Sequence, residues 1–290
     1  MIAALLSLYV IWGSTFYAMR VALQTLPPFL MAAPRFFIAG VVLFIVLRVR
    51  GVALPKPREW LAAAAVGTLL LVMGNGFVAL AERSIDSGTA ATIIATMPLW
   101  MAALGWLWGE RPKARELVGL AFGFAGIVVL NSGGGLSLRG VDGLAILLAP
   151  VAWAVGSLWS RRLSLPRGLM NTACQMILAG LLMFLVALAH GERLHGPVGG
   201  ATIAALGYLI VFGSLIAFSA YGFLLRTTRP LVATSYAYVN PLVALAIGAA
   251  LGGEHLSARK LGACTLTVIG VLVVTLSRHS AVGRRAVRAG

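Results

Sequence analysis

Charge is what this sequence has least of. Aspartate, glutamate, lysine and arginine together make up 11% of its 290 residues, against about 25% in an ordinary soluble domain. So few charges cannot cover a water-facing surface, and the solvent for most of the chain is lipid. Carboxylates are scarcest: Glu59, Glu82, Asp86, Glu110, Glu116, Asp142, Glu192 and Glu254 all lie at or near the ends of apolar runs. His190, His195, His255 and His279 are likewise away from the run centres. With no HExxH, no GxSxG and no central carboxylate pair, the residues an intramembrane hydrolase needs are missing. An enzyme is therefore not expected. Cys174 and Cys264 both lie within apolar runs and suggest neither a disulfide framework nor a zinc site. No cofactor or metal motif is present. The run that begins at Met1 lacks a basic leader and is already of spanning length, so it does not read as a signal peptide.

What is present in quantity is apolar sequence: 60% of residues are hydrophobic and the mean hydropathy is +0.96. Ten runs emerge, at Met1–Val21, Phe29–Leu47, Trp60–Ala81, Ser87–Trp108, Glu116–Asn131, Leu144–Trp159, Leu169–Ala189, Ile203–Leu225, Leu231–Leu251 and Leu261–Leu276. Lipid offers backbone groups no hydrogen-bond partner, so each run is expected to be a helix. Alternating strands of about 10 residues, which a barrel needs, do not occur. The fifth, sixth and tenth runs fall short of the ~20 residues that span a bilayer core. They must extend into their flanks or thin the membrane.

The net charge of +15 could suggest nucleic acid. The cations, however, form short clusters between apolar runs rather than an aromatic-interleaved patch, so no nucleic-acid partner is expected and membrane lipid is. Sixteen fall in alternate loops and the tail, from Arg48, Arg50, Lys56 and Arg58 through Arg161, Arg162 and Arg167 to Arg288. Six fall on the opposite side, at Arg20, Arg83, Arg139, Arg193, Arg259 and Lys260. That asymmetry predicts cytoplasmic termini, and an even number of crossings agrees.

The two halves repeat. "MPLWMAALGWLWGERPKARELVGLAFGFAGIVVL" from Met97 corresponds to "NPLVALAIGAALGGEHLSARKLGACTLTVIGVLVV" from Asn240, with Pro98 against Pro241, Glu110 against Glu254 and Gly126 against Gly270. Trp12 and Trp153 are separated similarly. The expected organisation is one five-helix repeat over 1–140, a second over 141–277 and a basic tail over 278–290. An odd number of spans per copy turns the second copy upside down. Inverted repeats are an architecture of carriers whose central site opens alternately to either side.

On these residues the sequence resembles the drug/metabolite transporter superfamily and, within it, the EamA family of ten-helix proteins. The resemblance rests on "IWGSTFYAMRVAL" at Ile11–Leu23, "RFFIAGVVL" at Arg35–Leu43, the Pro-to-Glu segments closing the fourth and ninth spans, "LNSGGGLS" after the fifth, and "ATSYAYVNPLVA" at Ala233–Ala244. The last resembles the YedA-like exporters most. The resemblance implies an inner-membrane carrier that exports amino acids, related metabolites or toxic compounds. A multidrug exporter and a non-transporting scaffold or sensor are the alternatives, and monomer and homodimer both stay open.

A carrier needs polar and aromatic groups around a midplane cavity, because facing lipid would cost them. Thr89, Thr92, Thr96 and Trp100 form one stripe on the fourth span, and the alternatives are cavity lining or helix packing. Tyr236 and Asn240 lie one turn apart on the ninth span, before Pro241, with Tyr238 on another face. Asn75 between Gly74 and Gly76 marks a weak point in the third span. Trp12, Trp153, Tyr208, Phe218 and Tyr221 could stack on a substrate or simply pack. These residues place the expected cavity among the third, fourth, eighth and ninth spans. Trp106 and Trp108 read as interface anchors. Arg35 is the only cation well inside a span; it could grip a substrate carboxylate or pair structurally with Glu82 or Asp86. Glu82 and Asp86 are also the nearest candidates for a proton site. Without another, facilitated diffusion of a neutral or zwitterionic solute is the expected mode.

Overall fold

The computed structural model describes residues 1–85, 87–109, 113–131, 140–252 and 258–276, and every regular element among them is helical. Two unbroken helices come first, α1 (Ile2–Ala22) and α2 (Pro28–Val49). The next apolar run is helical from Pro57 to Ala81 but not uniformly so: α3 (Pro57–Gly67) and α4 (Phe77–Ala81) flank a π-helical stretch at Thr68–Gly76. Then follow α5 (Ser87–Ile94), α6 (Met97–Leu107), α7 (Ala114–Asn131), α8 (Gly140–Trp159) and α9 (Leu169–Ala189). The eighth run repeats the build of the third, with a π-helical stretch at Leu209–Ile216 between α10 (Gly200–Tyr208) and α11 (Ala217–Thr227). The chain closes with α12 (Pro230–Ala233), α13 (Tyr236–Gly252) and α14 (Ala258–Leu276).

Six stretches among the described residues are long and apolar enough to cross a membrane: Ile2–Ala22, Pro28–Val49, Pro57–Ala81, Gly140–Trp159, Leu169–Ala189 and Gly200–Thr227. The fourth expected span is not one helix. It breaks at Ala95–Thr96, where Pro98 cannot donate to the carbonyl of Ile94 and its ring crowds that carbonyl. The ninth breaks at Thr234–Ser235, whose hydroxyls bond back to the carbonyls of Pro230 (3.0 Å) and Val232 (2.8 Å).

The second helix of each half packs along its counterpart. Glu192, just past the end of α9, accepts from the amides of Phe29 (3.2 Å) and Leu30 (2.8 Å) at the start of α2, so the two helices run antiparallel. They touch backbone to backbone. A Cβ on Gly180 would lie 2.6 Å from the Phe37 nitrogen, and one on Gly40 would lie 2.7 Å from the Ile177 nitrogen. Helices α7 and α14 meet in the same manner, Gly270 against Gly123. Small residues replace the hydrophobic effect here, because lipid chains are as apolar as leucine and only close packing favours helix association. Large apolar side chains accordingly cover the outside as well as the inside: Val10, Ile45 and Leu185 are exposed while Leu8, Phe36 and Met183 are buried.

Ion pairs sit at the helix ends. Glu116 is buried and pairs with Arg229 at 3.0 Å; at the other end of the bundle Arg83 pairs with Asp142 at 3.0 Å.

Candidate functional site

Four aromatic rings from four helices meet at the middle of the bundle. Trp12 of α1 stands edge-on to Trp153 of α8 (centroids 5.4 Å apart, 87°) and to Tyr236 of α13 (4.5 Å, 72°). Tyr221 of α11 closes the group at 5.3 Å from Trp12, 5.6 Å from Trp153 and 5.8 Å from Tyr236. All four are buried. Such edge-to-face pairs add about 0.5–1.5 kcal/mol each beyond the area they bury. Their polar atoms are also engaged. Trp12 Nε1 donates to the carbonyl of Gly213 in the second π-helical stretch (3.0 Å), and Trp153 Nε1 donates to the Tyr221 hydroxyl (2.8 Å). Ser157 bonds that same hydroxyl at 2.6 Å. Gly74 in the first π-helical stretch leaves room for the Trp153 ring, which a Cβ there would meet at 2.4 Å. Both π-helical stretches therefore touch the cluster, in line with the tendency of such segments to occur at functional sites.

The rings divide two cavities. One, of about 430 Å³, opens at the end of the bundle that carries Arg161, Arg167 and Arg226; Asn171, Gln175, Phe218 and Tyr221 lie deeper in its wall. The other, of about 50 Å³, lies beyond Trp12, Trp153 and Tyr236 and is lined by Asn75, Asn240, Met19, Val78 and Met97. Small-molecule sites occupy roughly 300–1,000 Å³, so the first cavity admits a solute and the second holds only a few waters. Asn240 Oδ1 is buried without a hydrogen-bond partner among the described residues.

Beyond the small cavity lie two ionisable groups. Arg35 is buried, and its guanidinium donates to Ser214 Oγ (3.0 Å) and Met19 Sδ (3.5 Å) and lies 4.7 Å from the Phe36 ring centre. No described carboxylate is within 4.0 Å of it. Glu82, one of its two candidate partners, is thus not in contact with it and acts only at longer range, while the second π-helical stretch supplies Ser214 as a hydrogen-bond partner. Asp86 lies outside the described residues. Both carboxylate oxygens of Glu82 are buried and accept no hydrogen bond among the described residues. Burial pushes this carboxyl well above the ordinary carboxylate range, against the pull of Arg20 and Arg35.

Comparison with known proteins identifies the assembly. Residues 1–132 and again residues 143–276 match the EamA-like transporter family. The chain belongs to that family. It is 43% identical over 277 residues to the "uncharacterized inner membrane transporter YedA" of Escherichia coli strain K12, covering 95% of this chain and 90% of that one. It is 25% identical over 273 residues to the "uncharacterized transporter YvbV" of Bacillus subtilis strain 168, covering 92% and 88%. One solved crystal structure superposes with a TM-score of 0.78 at 25% identity, over 96% of this chain and 97% of that one. The protein is thus an all-α, multi-pass inner-membrane transporter built from two EamA repeats, with a small-molecule substrate, and not an enzyme.

Within this transporter the candidate residues separate. Trp12, Trp153, Tyr221 and Tyr236 converge, with Asn75 and Asn240 beside them. Trp12 and Trp153 bring the first and sixth spans into the lining, beyond the four spans expected. Trp100 is not brought in: it is 41% exposed on the outer face. A break at Ala95–Thr96 separates its helix from the one before. Thr96 lies in that break, where its hydroxyl bonds its own backbone at Ile93 (2.7 Å). The side chains of Thr89 and Thr92 lie outside the described residues. Tyr238 packs on Gly123 of α7, where a Cβ would be 3.0 Å from the ring, and its hydroxyl has no partner among the described residues. Tyr208 stacks on Phe212 (5.0 Å) away from the cluster. Trp106 is well exposed, as a membrane-interface residue would be. Sequence reasoning passed over Asn171, Gln175 and Ser157. The first two carried a signal, since amides one turn apart inside an apolar run have no reason to face lipid.

Proposed function

We propose that this transporter exports amino acids or related metabolites by alternating access, as a ten-helix bundle of two inverted repeats with both termini in the cytoplasm. The observation that carries the reading is the four-ring partition between a solute-sized cavity and a nearly closed one. A carrier caught open to one side has this form: one vestibule, one barrier at the midplane and a collapsed space beyond it. The charge asymmetry makes the Arg161 end cytoplasmic, so the vestibule takes solute from inside. Antiparallel α2 and α9 and the paired π-helical stretches support inversion. The partition opens when its rings part, and the polar atoms of Asn75 and Asn240 then become available to the passing solute.

Four rings together would also suit an amphipathic cation, and export of drug-like compounds is the second reading. It ranks behind because no carboxylate among the described residues lines either cavity to offset a desolvated positive charge. Counterflow in proteoliposomes of pure protein tests both. Exchange of labelled amino acids, with labelled amphipathic amines inert, is the expected result. Exchange of the amines alone would replace the first reading with the second, and exchange of neither would remove both.

A further inference from the structure

We propose that the larger cavity is a carboxylate-binding site in which Arg226 is the anchoring cation, so that the exported solute enters carboxylate first. The proposal rests on the export reading above, since it makes this cavity the entry vestibule. Its chemistry comes from the cavity wall. Three arginines line it, and no acidic residue does among the described residues. An anion entering here meets only positive charge.

Arg226, in the last turn of α11, is held in place rather than merely present. Its Nη1 donates to the carbonyl of Gly168 at 3.1 Å. Gly168 has φ +60° and ψ −137°, a backbone conformation open to glycine and strained for other residues. That conformation accompanies the turn that leads into α9. The guanidinium has five N–H donors, and one is committed in this way. The others have no partner among the described residues and remain for a ligand. A planar fork fixed at one corner is preorganised for a two-pronged bond to a carboxylate.

The buried side of the site is polar too. Asn171 and Gln175 are 9% and 3% exposed, yet both line the cavity. They share one bond, Gln175 Nε2 to Asn171 Oδ1 at 3.0 Å, which leaves each amide with a polar atom uncommitted among the described residues. Neither uncommitted atom is sealed off, and the cavity is where a ligand would reach them. Asn171 stands in the first turn of α9, whose cap residue makes no side-chain bond to the orphan amides there. These amides add positive potential beside Arg226. Gly222 keeps the gap passable, since a Cβ would sit 2.9 Å from Thr172 Oγ1 and 3.7 Å from Arg226 Nη1. A carboxylate at Arg226 thus places the adjoining polar group of the solute on the amide pair and its apolar part against Phe218 and Tyr221, the face of the ring partition.

The phosphate of an anionic lipid is an oxyanion as well, so the test separates the two sources. Full-length protein in nanodiscs of zwitterionic lipid is titrated with phenylacetate and with phenylacetamide at constant ionic strength, following tryptophan fluorescence. Phenylacetate should bind, and its neutral amide about tenfold more weakly. Arg226→Gln should abolish the difference. Arg226→Lys, which keeps the charge and loses the fork, should fall between. Arg50→Gln, at the same end but outside the cavity, should behave as the unaltered protein. Equal binding of acid and amide, or an unchanged preference in Arg226→Gln, overturns the proposal. So does a site that responds only when phosphatidylglycerol is added and never to phenylacetate. If phenylacetate binds through Arg226 while no amino acid exchanges in counterflow, the site stands and the export reading falls.

Discussion

Replacing Tyr221 by phenylalanine keeps the ring and removes one buried oxygen, which makes it a clean probe of the partition. The hydroxyl accepts from Trp153 Nε1 at 2.8 Å and bonds Ser157 Oγ at 2.6 Å. Ser157 keeps a second partner, the Trp153 carbonyl at 2.6 Å, so its loss is largely made good. The Trp153 N–H has no such alternative. A buried donor left unsatisfied costs about 1–3 kcal/mol, and that cost falls on the closed partition. If the rings part during transport, the N–H reaches water or solute in the open form and the penalty disappears there. Tyr221→Phe should therefore lower the unfolding midpoint in detergent and raise the opening rate. A destabilisation of about 1.4 kcal/mol corresponds to roughly tenfold if it falls wholly on the closed state. The assay is paired: thermal unfolding by intrinsic fluorescence, and single-turnover exchange in proteoliposomes. In a Trp153→Phe background the same change should cost less, because no orphan donor is created. Strictly additive costs, or a stability equal to that of the unaltered protein, would refute the assignment of this bond to the barrier.

Three further outcomes are expected. Burial favours the neutral form of Glu82, so the closed arrangement at its end should be fully stable below the ordinary carboxylate range and lose stability as pH rises through the elevated value. Exchange should then vary with pH on that face, and Glu82→Gln should remove the dependence; a retained dependence would assign it elsewhere. Gly180→Ala should destabilise the bundle by about 1–3 kcal/mol through overpacking of α9 against α2, read as a lowered unfolding midpoint, whereas Gly207→Ala on α10, where a Cβ meets nothing within 4 Å, should leave the midpoint unchanged. Single cysteines at Gly51 and Gly191, in a background lacking Cys174 and Cys264, should label from the cytoplasm and from outside respectively; labelling from one side only would undo the inverted topology.

Some of this protein was legible in its residues alone. The shortage of charge set the solvent, because 11% charged residues cannot cover a water-facing surface. The Pro and Glu spacing of the two halves exposed the duplication, and the repeat-related Trp12 and Trp153 drew attention to residues that meet in the ring cluster. Other features belong to tertiary structure. Lipid-facing and core-facing positions are equally apolar here, so periodicity could not tell that Trp100 points outward while Trp12 points in. The bond from Trp12 to Gly213 and that from Arg35 to Ser214 join residues far apart in the chain. Neither follows from local pattern, because the π-helical stretches that present those acceptors have the composition of ordinary apolar helix. Sequence chose the solvent and the symmetry. Which polar atoms meet at the midplane was decided by packing, since only the folded bundle brings a donor on one repeat within reach of an acceptor on the other.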